Sequence, residues 1–199
     1  MKNIIQYGLI AAVIGGIFLY GQFNDGDTYA EDDIDLNAVL DVTVDALYSY
    51  NDSLAELDQN SLDPDVTFAD FAESLSGRYN ETAPALYEGP IGVEPRSDAS
   101  LLAFHDANNN AQLEENEEAL FLIEIDGEQA RIIASSRSGA VNDHHFSGTG
   151  LLAGYLIGSM LNRQRMSGVS SSSLASKQPV SARDAAKSRA GSGSHSKGK

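Results

Sequence analysis

The chain reads as an α+β protein. Its expected order is an N-terminal transmembrane helix, two amphipathic helices followed by a small antiparallel sheet, then a glycine-rich apolar helix and a disordered tail. Three observations predict this. Between Asn24 and His145 there are 28 Asp and Glu residues against four Arg and no Lys. Apolar stretches with regularly spaced small residues bracket that acidic middle. Inside it, apolar residues recur first at helical spacing and then in strand-like runs, the order expected of an α+β domain.

The elements follow in chain order. Ile4 to Phe23 carries no charge, and 20 residues of helix span roughly 30 Å, the thickness of a hydrocarbon core. Lys2 precedes it, and Asp25, Asp27, Glu31, Asp32 and Asp33 follow it. The positive flank stays cytoplasmic, so the acidic domain is expected outside, periplasmic or extracellular. Thr28-Tyr29-Ala30 has the small residue of a cleavage site, but it lies far past the apolar run. The reading therefore favours an uncleaved anchor over a signal peptide.

Residues 24–145 form the acidic domain, sized for a single core. Ile34 to Leu57 predicts a helix with Leu36, Leu40, Val44, Leu47, Leu54 and Leu57 on one face. Thr67 to Ser76 predicts a second, with Thr67 and Asp70 as a capping box and Gly77 as its stop. Glu88 to Ser97, holding Gly89-Pro90, Gly92 and Pro95, reads as a loop. Ser100 to His105, Ala119 to Asp126 and Ala130 to Ser135 read as strands, the last two joined at Asp126-Gly127. Ser135 to Ser147 reads as a linker back to the membrane.

Residues 146–161 form the second apolar stretch, with Gly150, Gly154 and Gly158 every four residues. Gly8, Ala12 and Gly16 make a matching line in the first segment. Small residues at this spacing let helices approach closely, so these two faces are candidates for packing within a lipid bilayer. They would serve a homo-oligomer or a subunit of a membrane complex. Arg163 and Arg165 mark a cytoplasmic end if the stretch crosses. Residues 162–199 hold eight Lys and Arg and one Asp among Ser, Gly and Ala. That composition predicts disorder and weak contact with anionic lipid or nucleic acid.

The middle also carries a candidate site. Counting Asp106 as position one, oxygen-bearing side chains fall at Asp106, Asn108, Asn110, Glu114 and Glu117, which are positions one, three, five, nine and twelve. Gln112 offers a backbone carbonyl at position seven. A hard cation needs six or more oxygens around it, and alternate residues of a tight turn point inward to supply them. This stretch resembles an EF-hand calcium loop. The resemblance covers a dozen residues and implies Ca2+ held by Asp106, Asn108, Asn110, Gln112 and Glu117, with Glu114 reaching through water. It departs from the pattern at position six, where Ala111 replaces the usual Gly, and in having Asn at two ligand positions. A single Asn-rich site suits millimolar extracellular calcium.

Composition excludes much else. There are no cysteines, so disulfides, thiol catalysis and Cys-based zinc sites are ruled out. No Gly-rich phosphate loop or serine elbow is present. Asp143-His144-His145 has no nucleophile motif beside it and reads as a solvated linker. Asn80-Glu81-Thr82 matches a glycosylation sequon. The sequence thus points to a non-enzymatic, membrane-anchored binding or structural protein, with a glycine-faced membrane oligomer as the alternative.

Overall fold

The computed structural model describes residues 34–146 and 154–191. Five strands run β1 (Ile91–Pro95), β2 (Leu101–His105), β3 (Ala119–Asp126), β4 (Arg131–Ser136) and β5 (Val141–His145). They form one antiparallel sheet in sequence order, each strand paired with the next. The five α-helices among the described residues are α1 (Leu36–Ala55), α2 (Pro64–Glu81), α3 (Tyr155–Met166), α4 (Ser171–Ala175) and α5 (Ala182–Gly191).

Local chemistry sets the first two helices. The Asp35 carboxylate accepts from the backbone N–H groups of Asn37 and Ala38 and so caps α1. Asp63 does the same for α2, with Pro64 at its first position. The helix thus starts before Thr67, whose hydroxyl instead donates back to the Asp63 carbonyl. Gly77 does not end it either; α2 continues to Glu81. Ser76 and Asn80 on its last turns bond the backbone of Ile91, and Asn80 both donates to and accepts from that residue. The sequon asparagine therefore ties α2 to β1.

Alternation gives the sheet two different faces. Toward one point Val93, Leu101, Ala103, Phe121, Ile123, Ile125, Ile132 and Ala134, which pack with Val39, Leu40, Phe71 and Leu75 of α1 and α2 in the main core. Toward the other point Leu102, Leu122, Glu124, Asp126, Arg131 and Asp143, given their places in the strand registers.

The third helix corrects the sequence reading. Leu156, Ile157 and Met160 are buried in the same core as α1 and α2. Gln164 is buried too and donates to the Ile125 carbonyl at 2.9 Å. Tyr155 reaches the Leu62 carbonyl, and Arg163 pairs with Asp65 while its guanidinium lies 5.2 Å over the Phe68 ring. An amphipathic helix bonded to the domain in this way is a third member of the helical layer. Among the described residues no helix is long and apolar enough to cross a membrane. The run from Ile4 to Phe23, with Gly8, Ala12 and Gly16, lies outside the described residues, as does Gly150.

The expected disordered tail is also corrected through residue 191. After α3 the chain rounds the β3–β4 turn and lies on the outer face as α4, then runs along the β5 edge in an extended stretch and reaches the β4–β5 turn as α5. Leu174 and Ala185 are buried there, and Val180 bridges to Val141. Order there rests on particular contacts with the body rather than on apolar content.

Candidate cation-binding loop

Strand β2 delivers Asp106 and strand β3 begins two residues after Glu117. The ladder between them continues one step past the strands, His105 N–H donating to the Glu118 carbonyl at 2.8 Å. The loop is thus held at its neck by sheet pairing. Asp106 and Glu117, at its two ends, are only 6% and 5% exposed.

Those two carboxylates organise the backbone. Asp106 accepts from Asn110 N–H through Oδ1 at 3.0 Å and from Ala111 N–H through Oδ2 at 2.9 Å. Glu117 accepts from Ala107 N–H at 3.1 Å and from Glu114 N–H at 3.1 Å. Asn108 Oδ1 takes Asn110 N–H, and Asn110 Oδ1 takes Gln112 N–H. Each short polar side chain bonds the backbone two residues on, as such residues do in tight turns. Asn109 and Ala111 adopt left-handed backbone, with φ of 56° and 57°. The sharp bend therefore falls at position six, as the calcium-loop pattern requires, but on a residue whose Cβ is strained there.

Five of the six expected ligands belong to one hydrogen-bonded set. Asn108 and Asn110 donate their side-chain N–H groups to Glu114 at 3.1 and 3.0 Å. Gln112 joins only through its backbone N–H; its side chain is exposed. Leu113, at position eight, packs on the cluster of Leu102 and Ala119 and fixes the loop to the outer face of the sheet.

One expectation needs correction here. Among the described residues, no group of three or more His, Cys, Asp or Glu side chains is placed to hold a metal ion. A ready-made carboxylate calcium site is therefore absent from them. The reason is visible in the bonds: Glu114 is occupied by two carboxamide N–H groups, and the Asn oxygens are turned to backbone amides.

The remaining candidates fall apart in space. Gly154 sits at the N-terminus of α3, where a methyl group would meet the Asn51 carboxamide of α1 at 2.7 Å. Gly158, one turn on, faces open space. His145 lies 3.6 Å from Asp143 and is 62% exposed, while the His144 ring lies against Phe146.

Sequence reasoning missed one charged centre. Arg131 is 1% exposed, and its guanidinium donates to Asp126 at 3.2 Å, to Asp143, and to the Leu174 carbonyl at 2.9 Å. Burial alone would lower its pKa. The hydrogen bonds that it donates to Asp143 and Asp126, with their charges, outweigh burial and raise it. The signal was present: Asp126 and Arg131 are cross-strand partners beside the turn, and Asp143 shares their face one strand over.

No family model matches the chain, and no curated protein or solved structure matches it.

Proposed function

We propose that this chain is a non-enzymatic binding and structural protein in which the loop from Asp106 to Glu117 takes one hard divalent cation, calcium, as a clamp on the sheet. The observation that carries the reading is the pair of buried carboxylates at positions one and twelve, joined by a left-handed bend at position six. Burying two acids at the neck of one loop is costly unless they are hydrogen-bonded or paired with positive charge. Here backbone amides occupy one acceptor site on each oxygen, and a carboxylate oxygen has capacity for more.

Asp106, Asn108, Asn110, Glu114, Glu117 and the Gln112 carbonyl would hold the ion. To do so, the Asn108 and Asn110 carboxamides must present oxygen instead of nitrogen. The ion would supply charge neutralisation and a cross-link between the loop ends. An all-oxygen set on a flexible turn suits calcium better than magnesium, which demands stricter octahedral geometry. Two neutral Asn donors lower the affinity to the range of extracellular modules. That range favours a location outside the cytoplasm.

Thermal unfolding of the full-length chain tests this. Calcium at about 100 times its Kd adds about 2.7 kcal/mol, a rise in Tm of roughly 5 to 10 °C over the chelator-treated protein. Glu117→Gln should remove the rise. An unchanged melting curve at about 10 mM calcium or more, roughly 100 times a Kd of about 0.1 mM, would overturn the reading.

A further inference from the structure

Part of the outer face of the sheet, around Glu124 of β3 and Arg131 of β4, is covered by the chain's own C-terminal strap, residues 167–191. Its attachments differ in kind from those of the helical layer. Lys177 pairs with Glu124 of β3. The Leu174 carbonyl accepts from the buried Arg131. Val180 exchanges two backbone hydrogen bonds with Val141 on the free edge of β5, at 2.8 and 2.9 Å. Arg189 donates to the Ser138 carbonyl. Among the strap residues whose burial is described, only Leu174 and Ala185 are buried apolar anchors.

Charge shapes this docking. The strap brings Lys177, Arg183, Lys187 and Arg189 with one acid, Asp184, onto a body that has 23 acids and four arginines between residues 34 and 146. Its apolar burial is that of one leucine and one alanine. Lys187 is paired within the strap to Asp184, but Lys177 pairs with Glu124 of the body, so attraction between unlike charges helps to hold the strap, whereas the helical layer is held by apolar packing. The first is weakened by salt and the second is not: the Debye length falls from about 10 Å at 0.1 M to about 3 Å at 1 M.

We infer that the strap is an electrostatic latch. It lifts as a unit, below the free energy of global unfolding, and its lifting is promoted by ionic strength or by any competing polyanion. Lifting would uncover the β5 edge at Val141 and the outer row of β3 around Glu124 and Asp126. Parts of a fold that open separately in this way are familiar from hydrogen exchange.

Amide exchange on the full-length chain tests the latch. The Val180 N–H, bonded to Val141, reports the strap, and the core amides of β3 report global unfolding. Between 50 mM and 0.5 M salt, Val180 exchange should speed up roughly fivefold while the β3 amides change less. Lys177→Gln should speed Val180 exchange at low salt and flatten its salt response. Leu174→Ala should speed exchange yet keep the salt response, which separates charge from packing. Val180 exchange that tracks the β3 amides at every salt concentration, or ignores salt, would overturn the proposal.

Discussion

The two faces of the sheet are built by different physics. On the inner face, α1, α2 and α3 bury a continuous apolar cluster in which Val39, Phe71, Leu75, Phe121, Ile132, Leu156 and Ile157 are fully enclosed. On the outer face, cover is piecemeal: Leu113 of the loop on Leu102 and Ala119, Lys177 on Glu124, and Arg131 between Asp126, Asp143 and the strap. Apolar burial is non-directional and resists salt, so the inner face sets global stability. Ion pairs and carboxamide turns are directional and screened by salt, so the outer face is the one that should respond to ionic strength or, on the proposed reading, to a cation.

The largest effect should come from the inner face. Phe71 is fully buried and lies 5.3 Å from the Tyr50 ring. Phe71→Ala should cost about 3–5 kcal/mol in urea unfolding. If it costs under about 1 kcal/mol, the helical layer is not the stabilising face, by the same cavity argument. Arg131→Met is the matching test outside. It leaves Asp126 and Asp143 without Arg131, but Asp126 keeps the Glu128 and Gln129 N–H groups and Asp143 is partly exposed, so the cost sits at about 3 kcal/mol, the low end for breaking a buried set. The same variant should loosen the strap, because the Leu174 carbonyl loses its donor.

Much of the inner face was legible in the sequence. The Leu and Val spacing of α1 and the run from Ala119 to Ser135 around Asp126-Gly127 carry their periods openly. The edge strands did not. Val141-Asn-Asp-His-His has little strand propensity, and Ile91 to Pro95 carries Gly92 and Pro95. Both pair on one side with a strong neighbour, which decides the matter. The glycines around α3 read as a membrane face because spacing alone cannot reveal Asn51 or the Ile125 carbonyl as its actual contacts. The strap was least legible: Lys177 meets Glu124 across 53 positions, and no local pattern encodes such a pair. In the loop, the spacing of the oxygen-bearing residues and the bend were legible. The orientation of the Asn carboxamides was not.

A smaller effect probes the loop alone. Ala111 holds φ of 57° at a bend where glycine has no Cβ penalty. Left-handed backbone costs an L-residue about 1–2 kcal/mol, part of which is offset by glycine's greater freedom in the unfolded chain. Ala111→Gly should therefore stabilise the chain by about 1 kcal/mol in urea unfolding. With calcium present, it should also tighten binding in a titration. A destabilised variant would mean that the bend is not strained at this residue.

The smallest effect concerns a carboxylate that lacks the outer face's compensation. Glu94 on β1 sits opposite Leu102, and burial raises its pKa, with Arg96 only partly opposing. A carboxyl whose pKa is higher in the folded state favours folding when protonated. Its contribution is fully present below the unfolded-state value, near pH 4, and is lost as pH rises through the folded-state value. At neutral pH the ionised side chain therefore works against the fold. Glu94→Gln keeps the shape and removes the charge, so it should raise Tm slightly at pH 7 and lose that advantage below about pH 4. Arg131 and Lys177 show how this face treats acids that it keeps: each has a cation in contact. An advantage for the Glu94→Gln variant that persists unchanged into acid would mean that shape, not charge, sets the cost at this position.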